Sequence, residues 1–345
     1  MSTRNNPSRK PCLSFIVPFY ASHEKLDECV QSLVCRCDVP FEILILDDGN
    51  STYDYASVER EPSVQIIRND RNEGPSHRRN QGIKLAQGTY VQFVDSDDML
   101  VGAASAYFDA ITEADAAAEN PDVITGVLEG GRLFKRAAAN LPRITSLERE
   151  PILAKLSGFT AHLYRRDFLL ENKIEFPPDL RGAEDTVFLM RVLAKAKSVL
   201  LTETAHYRYR PVDNSLSKPP TQSDSPSAGG NAFELRFQVA AGYMLDALEA
   251  HPAAQTIRGS IVFKYGLKGL QRRAAYADKK PFDDALPVLA RLIARINLIG
   301  YDADRLRAES GVYWDDHLQQ IAEDIQDGDA AAVRAAVVGT DLRLF

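Results

Sequence analysis

Cysteine, tryptophan and methionine are scarce: four, one and four in 345 residues. No apolar run approaches the roughly 20 residues needed to span a bilayer. The spacing of Cys29, Cys35 and Cys37 is not one that zinc sites use. The cysteines read as reduced thiols of a cytosolic protein. Positive charge is short as well: 41 Lys and Arg against 48 Asp and Glu leave a net charge of -7. That excludes a chain-wide electrostatic footprint for nucleic acid. Residues 1–10 carry Arg4, Arg9 and Lys10 with no apolar stretch behind them, so they read as a disordered tail, not a signal peptide.

What remains is ordinary globular composition, 45% hydrophobic and 26% charged. The length suggests two domains. Leu13–Val17 is a short apolar run ended by Pro18, hence a buried strand with a turn after it. A helix over 24–34 places Leu26, Val30, Leu33 and Val34 on one face. Strands at 41–46, 64–67 and 89–94 follow, the last preceded by a helix over 76–86. Strands alternating with helices predict a mostly parallel sheet. An alanine-rich helix over 103–118, a strand at 123–128 and an apolar helix over 186–196 continue the pattern. Residues 217–231 are rich in Ser, Pro and Gly, the composition of a linker. Helical periodicity alone follows it, with Phe233, Phe237, Ala240, Ala241, Met244 and Leu248 on one face and Leu286, Leu289, Ile293 and Ile296 on another.

Two strands end in acids. The strand at 89–94 runs into Asp95-Ser96-Asp97-Asp98, and the strand at 41–46 into Asp47-Asp48-Gly49. Clustered carboxylates next to buried strands need a compensating cation. Mg²⁺ or Mn²⁺ takes one or two carboxylates and completes its shell with water and phosphate oxygens. Asp97 is the expected metal ligand, and Asp98 the expected cap of the next helix. Asp47 or Asp48 can accept from a base imide or ribose hydroxyls, or close an Asx-turn with Gly49. Arg79, opening the helix before the central strand, suits a diphosphate, whereas Arg78 reads as a solvated surface residue. Glu184 and Asp185 open an apolar helix whose dipole favours an ionised carboxylate, as a general base requires, or they cap it. Arg208, Arg210, Ser215 and Ser217 suit a phosphate clamp, and His206 beside them a metal ligand. Lys264, Lys268 and Arg272 recur four residues apart, as on a solvated face or a patch for anionic acceptors or lipid headgroups.

Together these motifs resemble family 2 of the glycosyltransferases over residues 12–217. Phe15-Ile16-Val17-Pro18-Phe19-Tyr20 resembles the opening strand, Asp47-Asp48-Gly49 the nucleoside turn, and Asp95-Ser96-Asp97-Asp98 the metal motif. Asn72-x-Gly74, Arg79-Asn80-x-Gly82 and Ala86-x-Gly88-x-Tyr90 resemble the run between them. Phe176, Gly182, Glu184, Asp185 and Phe188 resemble the segment that supplies the base, and Tyr209-Arg210 with Asn214-Ser215-x-Ser217 the closing loop. Departures are Asn50 for the usual Ser, His77-Arg78 for small residues, and Gly158-Phe159-Thr160-Ala161 without the usual Trp.

The resemblance implies an α/β GT-A fold, Rossmann-like with a mostly parallel sheet flanked by helices, over residues 11–217. A linker at 218–231 and a C-terminal helical module at 232–345 complete the expected organisation. It implies a metal-dependent inverting transferase using Mn²⁺ or Mg²⁺ and a nucleotide-diphospho-sugar, UDP-linked by preference. The acceptor would be a glycan or lipid-linked hydroxyl, in surface polysaccharide or glycoconjugate synthesis. Asp185 would be the base with Glu184 beside it. Pro18, Tyr20, Asp48, Arg79, Asp95, Ser96, Arg210 and Ser215 would hold the donor, and Asp97 with His206 the metal. The expected setting is cytoplasmic, with peripheral contact at the inner membrane face and homo-oligomers through the C-terminal helices. Rival readings are a haloacid-dehalogenase-like phosphatase with Asp95 as nucleophile, a nucleotidyltransferase, and a non-catalytic binding module. Met99, where the phosphatases prefer Thr or Val, and the late position of the acidic strand weigh against the first.

Overall fold

The structure, a computed structural model, describes residues 10–20, 23–49, 52–114, 120–133, 140–180, 182–210, 235–267, 280–297 and 316–339. The chain divides into two compact units. The first comprises Met1–Ser146, Lys155–Pro178 and Lys195–Ser215; the second comprises Leu147–Ala154, Asp179–Ala194 and Leu216–Phe345. The expected boundary after residue 217 therefore captures only the last crossing. Two inner segments, one of them carrying Glu184 and Asp185, group with the C-terminal helices.

In the first unit, β1 (Leu13–Phe19), β2 (Phe41–Asp47), β3 (Val64–Arg68) and β4 (Tyr90–Phe93) lie parallel, joined by α1 (His23–Arg36) and α2 (Pro75–Leu85). β5 (Met99–Leu100), α3 (Ser105–Glu113), β6 (Val123–Ile124), β7 (Val127–Leu128), β8 (Arg143–Thr145), β9 (Leu163–Arg165) and α4 (Arg166–Glu171) follow. After α5 (Glu184–Lys195), assigned chiefly to the second unit, come β10 (Val199–Leu201) and β11 (Ala205–Arg208). The main sheet runs β3-β2-β1-β4-β9-β6-β10-β8, and β5-β11-β7 form a small second sheet. β9 enters antiparallel to β4 and β6.

β1 and β2 are buried almost throughout, which is why they read as continuous apolar runs rather than alternating ones. Leu13, Phe15, Val17, Leu26, Cys29, Val30 and Leu33 belong to one core. Each such Leu or Phe contributes about 1.5–3 kcal/mol by burial. β1 continues through Pro18 to Phe19 instead of stopping at the proline. Its pairing with β4 spans Leu13–Ile16 only, so the imino nitrogen falls beyond that ladder. α2 lies close on the sheet: a Cβ at Gly82 would fall 2.4 Å from Cγ2 of Ile16. At the amino ends of the strands Ser14 donates to Glu42, which also accepts from the amide of Gln87 at 2.6 Å.

The alanine-rich segment forms a helix only over Ser105–Glu113 within the described residues. Its first amide is held by Asp38, which accepts from both the Ser105 amide and hydroxyl at 2.9 and 2.7 Å.

The second unit contains α6 (Arg236–Ala247), α7 (Ala254–Ile261) running into a π-turn at Val262–Leu267, α8 (Lys280–Ile296), α9 (Asp316–Asp327) and α10 (Ala330–Gly339). Ala240, Ala241 and Met244 on α6, Leu248 just after it, and Leu286, Leu289, Ile293 and Ile296 on α8 are buried, and Phe237 is half-buried. α8 packs on α9 and α9 on α10. No helix among the described residues is long and apolar enough to cross a membrane. The expected tail, the linker, Phe233, Lys268 and Arg272 lie outside the described residues, and Lys264 is exposed.

Candidate active site

Parallel strands end together, so β1, β2 and β4 deliver Tyr20, Asp47-Asp48 and Asp95–Asp98 to one edge of the sheet, where open α/β sheets bind ligands. Tyr20 is exposed and Pro18 half-buried, whereas Ser96 is buried.

The two acids after β2 have separate tasks. Asp48 turns inward: its oxygens accept from the amides of Glu73 and Gly74, both at 2.8 Å, and lie 3.4 Å from Nε of Arg78. Arg78 is not a solvated surface residue, because it is buried and paired with Asp48, Glu73 and Gln81. Asp48 thus positions the loop before α2 and does not line the cleft that follows β2. Asp48→Ala should lower stability by about 3 kcal/mol, since a buried guanidinium loses a partner and two amides lose their acceptor. Urea unfolding checks this; a change well under 1 kcal/mol, on the order of a surface substitution, would contradict it.

Asp47 is buried as well, but on the other side of the turn. It lines a cleft of about 570 Å³ with Tyr53, Asp54, Tyr55, Arg68 and Asp70. Tyr53 meets Phe19 edge-on with centroids 4.9 Å apart and Tyr55 at 4.8 Å, and the Arg68 guanidinium lies 4.9 Å over the Tyr55 ring. Burial, then the neighbouring Asp47, pushes the Tyr55 hydroxyl up, keeping it a proton donor. Burial and a bond to Asp27 push Tyr53 up to about 12. The backbone enters this cleft through Gly49 at φ +85°, where a Cβ would fall 2.8 Å from the backbone of Arg71.

Arg79 reaches the second acidic turn. Its Nη2 donates to Asp95 at 2.8 Å, and its guanidinium lies 4.8 Å over Phe159 and 5.3 Å over Phe176. Phe159, which stands in the segment lacking the usual Trp, therefore backs the ion pair. Arg79 acts on Asp95 directly, which is a different task from the diphosphate contact expected of it.

Asp95–Asp98 is a tight turn, with the Asp98 amide donating to the Asp95 carbonyl at 2.9 Å. Its shape is held from β11. The Tyr207 hydroxyl accepts from the Asp95 amide at 3.0 Å and donates to Asp98 at 2.7 Å. The Arg210 amide donates to the other Asp98 oxygen at 2.8 Å. Asp98 is therefore occupied by β11 and does not cap α3. Burial, followed by the charges of Asp95 and Asp97, raises its carboxyl to about 7, against the lowering effect of those two hydrogen bonds. Burial and then Asp95 raise Asp97 as well. The Arg210 guanidinium donates to the Asp97 carbonyl and pairs with Glu28 on α1. It straps the turn to a helix, where a phosphate clamp was expected.

His206 does not join the acids. It is fully buried with its ring edge-on to Tyr107 at 5.2 Å, and burial lowers it to about 4. Neighbouring side chains on a strand point to opposite faces, and Tyr207 takes the face toward the turn. Among the described residues no three His, Cys, Asp or Glu side chains converge on a metal position. Of the expected ligands this leaves Asp97, with Asp95 near it in sequence, both partly exposed. That fits a cation that keeps waters and takes phosphate oxygens, and does not fit a protein-only cage.

In the second unit Glu184 and Asp185 occupy the first turn of α5, both half-buried, and Asp185 accepts from the Thr186 amide at 2.8 Å. Ser215 and Ser217 lie outside the described residues. Sequence reasoning missed Tyr207, Tyr53, Tyr55 and the burial of Arg78. The first had a signal in the alternation of His206-Tyr207-Arg208.

The family model described as Glycosyl transferase family 2 matches residues 14–104. EpsJ of Bacillus subtilis (strain 168), an uncharacterized glycosyltransferase, is 30% identical over 61% of this chain and 64% of its own length. Poly(ribitol-phosphate) beta-N-acetylglucosaminyltransferase TarS of Staphylococcus aureus (strain MW2) is 32% identical over 56% of this chain and 35% of its own. The chain thus spans less than two thirds of either relative. In fold, the crystal structure of S. aureus TarS 1-349 in complex with UDP is similar with a TM-score of 0.69, at 22% identity, over 94% of this chain and 90% of that one. The chain resembles the family 2 glycosyltransferases in sequence and GT-A fold, and the matched residues 14–104 span β1 to β5, including both acidic turns.

Proposed function

We propose that the protein transfers a sugar from a nucleoside diphosphate, UDP by preference, to a hydroxyl of a glycan or lipid-linked acceptor, inverting the anomeric centre. One observation carries the reading: the Asp95–Asp98 turn stands at the same sheet edge as the aromatic, acid-lined cleft after β2. A flat base suits the faces of Tyr53 and Tyr55, and Asp47 can accept from an imide N–H or a ribose hydroxyl. Pro18 and Tyr20 at the end of β1, and Asp95 and Ser96 after β4, would hold the ribose and diphosphate.

Asp97, with Asp95 beside it, would hold Mn²⁺ or Mg²⁺, which supplies positive charge against the leaving diphosphate. Asp185 takes the acceptor hydroxyl proton, the hydroxyl oxygen bonds to the anomeric carbon, and the carbon–oxygen bond to diphosphate breaks with its electron pair leaving on the nucleotide. Glu184 adjoins Asp185 in the same helical turn. Relatives named for poly(ribitol-phosphate) and for succinoglycan biosynthesis support a surface-polysaccharide acceptor. Four free cysteines suit a reducing, cytoplasmic setting. The phosphatase alternative needs Asp95 as nucleophile, and the Arg79 ion pair holds that carboxylate in place.

A thermal-shift screen of UDP-, GDP- and dTDP-sugars with and without Mn²⁺ tests the reading. A UDP-sugar with Mn²⁺ should give the largest stabilisation, about 2.7 kcal/mol at a hundredfold excess over Kd. Stabilisation by none of the sugar nucleotides would sink it.

A further inference from the structure

The C-terminal helices lie outside the residues matched by the family model, yet they share a compact unit with α5. The chain enters α5 by an unusual route. Gly182 has φ +86° and Ala183 φ +63°, and Glu184 and Asp185 follow at once. The Ala183 carbonyl accepts from the Val187 amide at 3.2 Å, so this left-handed alanine sets where the helix begins. A left-handed alanine is strained and persists where its surroundings hold it.

α6 provides that hold at two points. Arg236 lies across Gly182, so a Cβ there would fall 2.8 Å from its Cδ and 3.0 Å from its Nη1. Seven residues on, and so on the same face of α6, the Tyr243 hydroxyl donates to Asp179, three residues before Gly182. Arg191 of α5 adds a third contact, its guanidinium 5.3 Å over the Tyr243 ring. α6 is itself anchored in the helical module. Ala240, Ala241, Met244 and Leu245 are buried, Gln238 donates to the Gly266 carbonyl at 3.4 Å, and Asp246 pairs with Arg295 of α8 at 2.7 Å.

We propose that Arg236 and Tyr243 are positioning residues: the C-terminal helices hold the chain at Asp179 and at Gly182 and thereby set where Asp185 presents its carboxylate. The proposal rests on Asp185 being the base. It assigns the helical module a part in the chemical step and none in holding the donor. Misplacing a reacting group by about 1 Å can cost a hundredfold in rate, so partial loosening should cost on the order of tenfold.

The test uses the full chain, with Tyr243→Phe, which keeps the ring under Arg191, and Arg236→Met, which keeps most of the stem over Gly182. Turnover is measured with the sugar nucleotide that the thermal screen selects, and UDP affinity by calorimetry with Mn²⁺. Each variant should lose about tenfold in kcat with donor KM and UDP affinity unchanged and the melting midpoint close to the parent's. Unchanged kcat in Tyr243→Phe and Arg236→Met, or UDP affinity falling in step with kcat, would overturn the proposal. Asp185→Asn separates the two levels. If that variant stays active, the assignment of the base fails; if it is inactive while both α6 variants turn over normally, the positioning role alone fails.

Discussion

Asp185→Asn should lower transfer by about 10²–10⁴-fold while leaving nucleotide affinity unchanged. The amide has nearly the carboxylate's shape. Its carbonyl oxygen can still accept from the Thr186 amide, the bond Asp185 makes at 2.8 Å. What it lacks is a basic oxygen to receive the acceptor's proton. The helix N-terminus that favours a negative charge at this position gives a neutral amide no comparable benefit. Single-turnover transfer and UDP calorimetry on the same preparation check both halves. Retention of near-parental transfer would remove Asp185 from the mechanism, and loss of UDP binding would show that the residue serves the donor.

Asp97→Ala should weaken UDP binding in Mn²⁺ by about tenfold or more and abolish the difference between Mn²⁺ and chelator. Asp97 is held by the backbone of its turn: the Arg210 guanidinium takes the Asp97 carbonyl, and Tyr207 fixes both ends of the turn. Truncating the side chain therefore leaves the turn's own bonds in place. Burial and then Asp95 raise the Asp97 carboxyl, and a cation beside it would offset both effects. Calorimetry with UDP in Mn²⁺ and in EDTA separates the cases. A Mn²⁺-dependent affinity equal to the parent's would move the metal away from Asp97.

The sheet was legible because its strands are buried on both faces and punctuated by turns. The acidic ends of β2 and β4 were legible for the same reason. Division of labour between adjacent residues was not. Asp47 and Asp48 are chemically identical, and which one faces the cleft depends on where Arg78 is buried, a tertiary fact. His206 and Tyr207 differ by one position on a strand. The pairing of β11 on both sides, Tyr207 opposite Leu100 of β5 and Leu128 of β7, decides which side chain reaches the turn. The division into units was legible only in part. Composition marks a linker near residue 220, but the second unit is assembled from three separate stretches, two of them earlier in the chain. The bracing of the Asp185 turn by α6 pairs residues more than sixty positions apart, Asp179 with Tyr243.

The bare flank of α2 at Gly82 reaches further than packing. Gly82 is three residues beyond Arg79 on the same helix, and it lets that helix rest within methyl distance of Ile16. The reach of a guanidinium is fixed by its stem, so the gap between helix and sheet sets whether Arg79 meets Asp95 at 2.8 Å. Gly82 thus acts as a spacer of zero thickness. The geometry of the acidic turn is gauged, in part, by a residue with no side chain on the far side of an ion pair.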